Sequence, residues 1–267
     1  MTSWIEIADR VHVRRYSELD LTVGLVVGDD GCLVIDTRGD LEQGAELAAA
    51  VRSLTPLPWT VVYTHAHFDH CFGTSAFPGA SVWAHRLCHK DMVEHGASEL
   101  RKWSSHYRAE GKPSIAAALD RTSLVLPTDL VDDRASISLG GREVSLVYAG
   151  LAHSSGDLLV HVPDARVLFV GDLVENGAPP QFGDAHPLSW PTALTTILEF
   201  DVDVVVAGHG DPVVLDFVAT QREELRAVAQ LCRAVASGEL STEDALAASP
   251  YPAEFTREAL ERVLSTR

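Results

Sequence analysis

The sequence predicts an α/β protein made of two matching halves. Short β-rich apolar runs alternate with stretches at helical spacing, the usual mark of sheets covered by helices. The same strand–turn–strand–helix–strand pattern also occurs twice. In the first copy LTVGLVVGDDGCLVIDT is followed by a helix and by WTVVYTH, which ends in His65. In the second, GDLLVHVPDARVLFVGD is followed by a helix and by VDVVVAGH, which ends in His209. Each half delivers an Asp at one strand end (Asp36, Asp172) and a His at another (His65, His209). Such halves are expected to pack as pseudo-symmetric sheets whose strand ends converge on one edge, where α/β sheets bind ligands.

In chain order, residues 11–13 form a short strand, and 21–27 and 32–36 flank GDDG as a hairpin. Leu41–Leu54 has helical periodicity and follows Asp40, whose carboxylate suits an N-cap. Residues 59–63 and 81–84 read as strands and 85–109 as helix, with 110–122 a loop or short helix containing Gly111 and Pro113. Strands return at 136–139, Glu143–Tyr148, Leu158–Val162 and 166–170. The Pro- and Gly-rich segment VENGAPPQFGDAHPLSW after Asp172 reads as a loop near the site. A helix at 191–200 and a buried strand at 202–207 complete the second half. The chain, 1–267, reads as one domain with 214–267 as a helical tail, broken at 249–252. That tail either covers the outer face of the second sheet or supplies a dimer contact.

Composition narrows the function. With 46% hydrophobic and 22% charged residues the chain is ordinary globular material, so disorder is excluded. Twenty-one basic residues against 38 acidic ones leave −17, a field that repels nucleic acid and anionic membrane. No apolar run approaches the ~18–20 residues of a membrane span. The first residues lack a basic segment followed by an apolar one, so a cytoplasmic protein with reduced thiols is expected. Its four cysteines form no CxxC pair, and Cys71 reads as a small buried residue. The expected partner is a small molecule.

The densest chemistry is THAHFDH, which places His65, His67, Asp69 and His70 directly after a strand. Imidazole nitrogen and carboxylate oxygen are the ligands that a borderline cation such as zinc takes. In an extended segment alternate side chains share a side, so His65 and His67 can meet one cation while Asp69 and His70 turn toward a second. His153 in GLAHSSGD, Asp172 in VLFVGD and His209 in AGHGD follow at further strand ends or turns. His85 and His89 lie four apart but lack the Glu of a helical HExxH site, so both read as solvent-facing.

On these residues the sequence resembles the metallo-β-lactamase-fold superfamily, in particular its bridging-aspartate hydrolases (glyoxalase II-like and lactonase-like). HAHFDH, His153, Asp172, His209 and the earlier Asp36 in LVIDT occur in family order between residue 22 and about 212. The resemblance implies an αββα sandwich, two mixed sheets flanked by helices, with a two-metal site at one edge. It implies one metal on His65, His67 and His153, another on Asp69, His70 and His209, and Asp172 bridging both. It also implies that Asp36 orients ligands from behind and that Asp69 is the catalytic proton shuttle. The implied cofactors are two zinc ions, with iron or manganese as alternatives.

Under this resemblance the expected activity is hydrolysis of a small acyl substrate, an ester, thioester or lactone. The antibiotic-hydrolysing members carry Cys or Ser where this chain has Asp172, which disfavours a β-lactamase. A mononuclear-iron persulfide dioxygenase would use His65, His153 and Asp172, and a non-catalytic metal-binding protein is a further alternative. Members that recognise glutathione use basic residues in a C-terminal helical region. Here Arg222, Arg226 and Arg233 are interleaved with Glu223 and Glu224, and no lysine follows Lys112, a poor match. Candidate substrate contacts are Asn176, Phe182, His186 and Trp190, with Glu175 beside them. Trp103, His106 and Tyr107 are candidates for a pocket wall.

Overall fold

The computed structural model describes residues 3–265. A first sheet holds β1 (Ile5–Ala8), β2 (Val11–Arg15), β3 (Thr22–Val27), β4 (Cys32–Ile35), β5 (Trp59–Val62), β6 (Ser81–His85) and β7 (Asp129–Val131), in that spatial order. Helices α1 (Leu41–Leu54), α2 (Phe68–Cys71), α3 (Arg86–Ala109) and α4 (Pro113–Arg121) interrupt it. The second sheet runs β12-β11-β10-β9-β8 in space. Its strands are β8 (Arg134–Ser138), β9 (Glu143–Tyr148), β10 (Leu158–Val162), β11 (Val167–Glu175) and β12 (Val204–His209). Helix α5 (Trp190–Ile197) precedes β12, and α6 (Leu215–Ser237), α7 (Thr242–Ala248) and α8 (Ala253–Ser265) follow it.

The layers follow from where the apolar side chains go. Val26, Leu33, Ile35 and Val62 of the first sheet meet Leu146, Leu158, Val160 and Phe169 of the second in a dry inter-sheet layer. Leu25, Val34 and Val61 face the other way, onto Leu47 and Val51 of α1 and Met92 and Tyr107 of α3. Leu168 and Val170 pack outward onto Leu194 of α5, Leu225 of α6 and Leu260 of α8. Strands buried on both faces read as continuous apolar runs, which is why VLFV and LVI carry so little alternation. The result is an αββα sandwich.

The internal repeat appears in the ladders. β3–β4 and β10–β11 are antiparallel hairpins, and each returns through a helix to a parallel partner, β4–β5 and β11–β12. The sheets also join directly at one edge. Leu21, ahead of β3, bridges His209 at the end of β12, and Thr22 Oγ1 donates to the Gly210 carbonyl at 2.7 Å.

Several elements differ from the sequence expectation. β11 continues through Glu175, so residues 174 and 175 are strand, not loop. All nine of its residues are buried between the inter-sheet layer and the outer helices, and that burial overrides the local turn signal. The short edge strands β1 and β7 were not apparent, because edge strands show little apolar pattern. Residues 113–121 form a helix with Pro113 in its first turn, where its missing N–H is harmless. The tail holds three helices, since Gly238 ends α6 with φ +80°. All three pack on the outer face of the second sheet.

Candidate metal centre

The convergent strand ends hold the site. β5 leads into Thr64 and His65, and His67, in extended backbone, stands at the N-terminus of α2, which carries Asp69 and His70. Asp172 lies within β11, His209 ends β12, and His153 sits in the turn before β10. Two groups of ligand atoms result, His65/His67/His153/Asp172 and Asp69/His70/His209, each with its atoms mutually within 4.8 Å. Asp172 reaches both: Oδ1 is 3.2 Å from His70 Nε2, and Oδ2 is 3.2 Å from His209 Nε2 and 3.5 Å from His153 Nε2. Asp69 Oδ2 lies 3.5 Å from His209 Nε2 and 3.7 Å from His70 Nε2.

Close backbone approach makes this possible. A Cβ on Gly208 would stand 1.9 Å from Asp172 Oδ1, so only glycine fits ahead of His209. At Gly171 (φ +54°) a Cβ would meet the Thr64 hydroxyl at 2.7 Å.

Hydrogen bonds fix which nitrogen of His65, His67, His70 and His209 faces inward. Asp36, at φ +63° after β4, accepts from Thr64 N at 2.8 Å, Thr64 Oγ1 at 2.7 Å and His70 Nδ1 at 2.8 Å. The Thr64 hydroxyl has one proton, and Asp36 takes it. Its oxygen therefore accepts from His65 Nδ1, 3.0 Å away, leaving the lone pair on His65 Nε2. His209 Nδ1 donates to the Leu19 carbonyl at 2.8 Å, which leaves Nε2 inward. His67 is reversed: Nε2 donates to Asp184 Oδ1 at 2.9 Å, while Nδ1 faces His153 Nε2 at 2.9 Å. Such outer partners set the tautomer and orientation of metal-binding histidines.

Electrostatics and orphaned atoms test whether a cation fits. Burial alone would push His67 and His209 down, but the surrounding carboxylates overcome it. Asp184, Asp172 and Asp69 carry His67 up to about 9, and Asp172 and Asp69 carry His209 up to about 10. Burial would raise Asp172, yet His209, His70 and His65 hold it well below the carboxylate range. The cluster thus demands positive charge at its centre. Among the described residues several buried side-chain atoms have no hydrogen-bond partner, Ser75 Oγ and His161 Nε2 among them, and so do His65 Nε2 and Asp172 Oδ1. Buried polar atoms are rarely left so, and the last two belong to the ligand groups. The donor set fits divalent cations.

The remaining site residues are placed as follows. Phe182 and Trp190, expected at a substrate, lie instead in the core: both are fully buried, and Trp190 packs edge-on against His153 at 5.3 Å. Asn176 donates to the Asp211 carbonyl, and His186 Nε2 lies 3.0 Å from Ser155 Oγ. Glu175 is buried beside the site, and burial together with the Asp172 charge pushes it up to about 8. Trp103 stacks on Phe68 at 4.0 Å next to Asp69, with Tyr107 and His106 adjoining. His85, expected in solvent, is buried instead; it stacks on Tyr148 and its Nε2 meets the Asp132 carbonyl at 2.9 Å. Cys71 is buried, its thiol donating to the His67 carbonyl. Asp184 and Thr64 were missed. Thr64 had a usable signal, adjacency to His65, whereas Asp184, 117 residues from His67, had only its place in the loop that follows Asp172.

The family model of the metallo-beta-lactamase superfamily matches residues 19–209, and the chain belongs to this superfamily. Among curated relatives, a linear primary-alkylsulfatase of Pseudomonas sp. is 23% identical over 78% of this chain and 44% of its own length. The acyl-coenzyme A thioesterase MBLAC2 of Homo sapiens is 31% identical over 58% of this chain and 59% of its own. The chain spans about half the length of the curated relatives it matches first, between 44% and 59%. In structure, the sec-alkylsulfatase Pisa1 from Pseudomonas sp. aligns at TM-score 0.79 with 16% identity, over all of this chain and 51% of that one. No helix among the described residues is long and apolar enough to cross a membrane.

Proposed function

We propose that the chain is a two-metal hydrolase, with zinc as the resident cation, acting on a small acyl ester, thioester or lactone. The observation that carries this reading is the presence of two ligand groups sharing Asp172, with inward lone pairs left unpartnered. His65, His67 and His153 would hold one cation, Asp69, His70 and His209 the other, and Asp172 both. When bound, such a pair supplies acidified water and a polarised substrate oxygen. The protein's own contributions are orientation and proton handling. Asp36, Thr64, Asp184 and the Leu19 carbonyl fix the rings before any substrate arrives. Asp69, 8% exposed, would take a proton and return it to the leaving group. The Phe68–Trp103 stack offers an apolar surface beside Asp69.

The thioesterase and alkylsulfatase names of the relatives support ester-type hydrolysis and do not choose the leaving group. The mononuclear-iron dioxygenase reading leaves the complete set Asp69, His70 and His209 without a role. The test is elemental analysis of protein purified without added metal, followed by a panel of aryl esters, lactones, acyl thioesters and an alkyl sulfate. About two zinc per chain and acyl turnover lost in Asp69→Ala are expected. One iron per chain with oxygen consumption on a persulfide would overturn the proposal.

A further inference from the structure

The C-terminal helix α8 lies outside the residues matched by the family model, yet it reaches the metal centre through one side chain. Arg262 Nη2 donates to the Asp184 carbonyl at 2.9 Å and its Nε to the Ala185 carbonyl at 3.1 Å. Asp184 in turn accepts from His67 Nε2 at 2.9 Å. We infer that Arg262 is a positioning residue for the metal centre, clamping the loop that carries Asp184 so that His67 presents Nδ1 to the first cation.

The geometry favours this over simple packing of a tail. Two ligands, His70 and His67, are oriented by carboxylates, and of these two carboxylates the one on His67 is exposed. Asp36, which orients His70, is deeply buried, whereas the Asp184 side chain is 52% exposed and that of His67 30%. A half-exposed ion pair holds its geometry weakly, because solvent competes for both partners. Something else must hold the loop. Other anchors flank Asp184: Phe182 is buried between Trp190 and Tyr251, the His186 amide donates to the Ala152 carbonyl at 2.7 Å, and His186 Nε2 meets Ser155 Oγ. Among the described residues, Arg262 is the side chain that donates to the carbonyls of Asp184 and Ala185 themselves, and its planar fork addresses both at once. Losing it frees the backbone under Asp184 and lets His67 turn. The other group, Asp69, His70 and His209, depends on Asp36 and Leu19 and not on this loop.

The inference rests on the two-metal reading, and the test separates the two. Cobalt(II) is titrated into metal-free full-length protein, wild type and the variants Arg262→Met, Arg262→Lys, Asp184→Ala and the double variant. Loss of an orienting partner typically weakens a metal site by roughly 10–100-fold. Arg262→Met is expected to weaken one cobalt site by about tenfold and leave the other unchanged. Arg262→Lys should recover part of that loss, and the double variant should be no worse than Asp184→Ala alone, because the arginine acts through the aspartate. In metal-free Arg262→Met the His186 amide should exchange with deuterium faster than in wild type. Wild-type affinity at both sites in Arg262→Met would refute the inference, as would equal weakening of both sites or fully additive losses in the double variant. Wild type that fails to take two cobalt ions would overturn the two-metal reading itself.

Discussion

Asp36→Asn is the sharpest probe of the site, because it changes one atom and should reverse the proton direction along two arms of a network. Asparagine tolerates the positive φ at this position, and its amide oxygen still accepts from Thr64 N. The amide nitrogen then faces Thr64 Oγ1 and His70 Nδ1, where Asp36 Oδ2 now accepts at 2.7 and 2.8 Å. Flipping the amide would set two donors, the NH₂ and Thr64 N–H, against each other. His70 Nδ1 must therefore become an acceptor, which moves its proton to the metal-facing Nε2. Thr64 Oγ1, now accepting from the amide, turns its hydrogen toward His65 Nδ1, 3.0 Å away. That moves the His65 proton inward as well. A change at a residue belonging to neither ligand group should thus weaken both cations. Ten- to a hundredfold loss per site corresponds to about 1.4–2.7 kcal/mol each. The fold should stand, since the bond from Thr64 N is kept and the others are reversed, with none deleted. Competition against a fluorescent zinc chelator measures both affinities, and thermal unfolding of the metal-free protein checks the fold. Unchanged affinity at both sites would refute the proton assignment. Loss confined to the His70 site would show that Thr64 does not relay to His65.

Further outcomes follow from the same geometry. Asp172→Ala should lower occupancy of both metals, whereas His209→Ala should weaken one selectively; metal analysis of each variant checks the division of ligands. Gly208→Ala should lower the unfolding temperature and abolish stoichiometric cobalt binding, because its Cβ would displace the Asp172 carboxylate; overpacking of this kind costs about 1–3 kcal/mol or more. The pH dependence has two parts. His67 and His209, raised to about 9 and about 10 in the metal-free chain, must each shed a proton to bind, so metal affinity should climb with pH until those values are passed. The same raised values stabilise the metal-free fold fully below the unfolded histidine value of about 6.5, and this stabilisation is lost as pH rises through the folded values. Melting of the metal-free protein should therefore fall across that window, and a flat profile would contradict the assignment.

The ligand types and their order were legible in the chain, because they are set by local spacing. HAHFDH follows a strand, and Asp172 and His209 each sit at a β-run of the repeated half, so convergence at one sheet edge could be inferred from periodicity. The α/β class and the pairing of two similar sheets were legible in the same repeat, whereas the αββα sandwich was an expectation of the family resemblance. Tertiary structure alone decided which nitrogen of each imidazole faces inward. His65, His70, His209 and His67 are oriented by Thr64, Asp36, the Leu19 carbonyl and Asp184, and most of these partners come from distant segments. It also decided that Phe182 and Trp190 are packed in the core, and that Arg262 reaches the Asp184 loop from α8. Spacing along a backbone constrains what neighbouring residues can share, whereas a lone pair's direction depends on which donor or carboxylate packing brings against the far side of the ring.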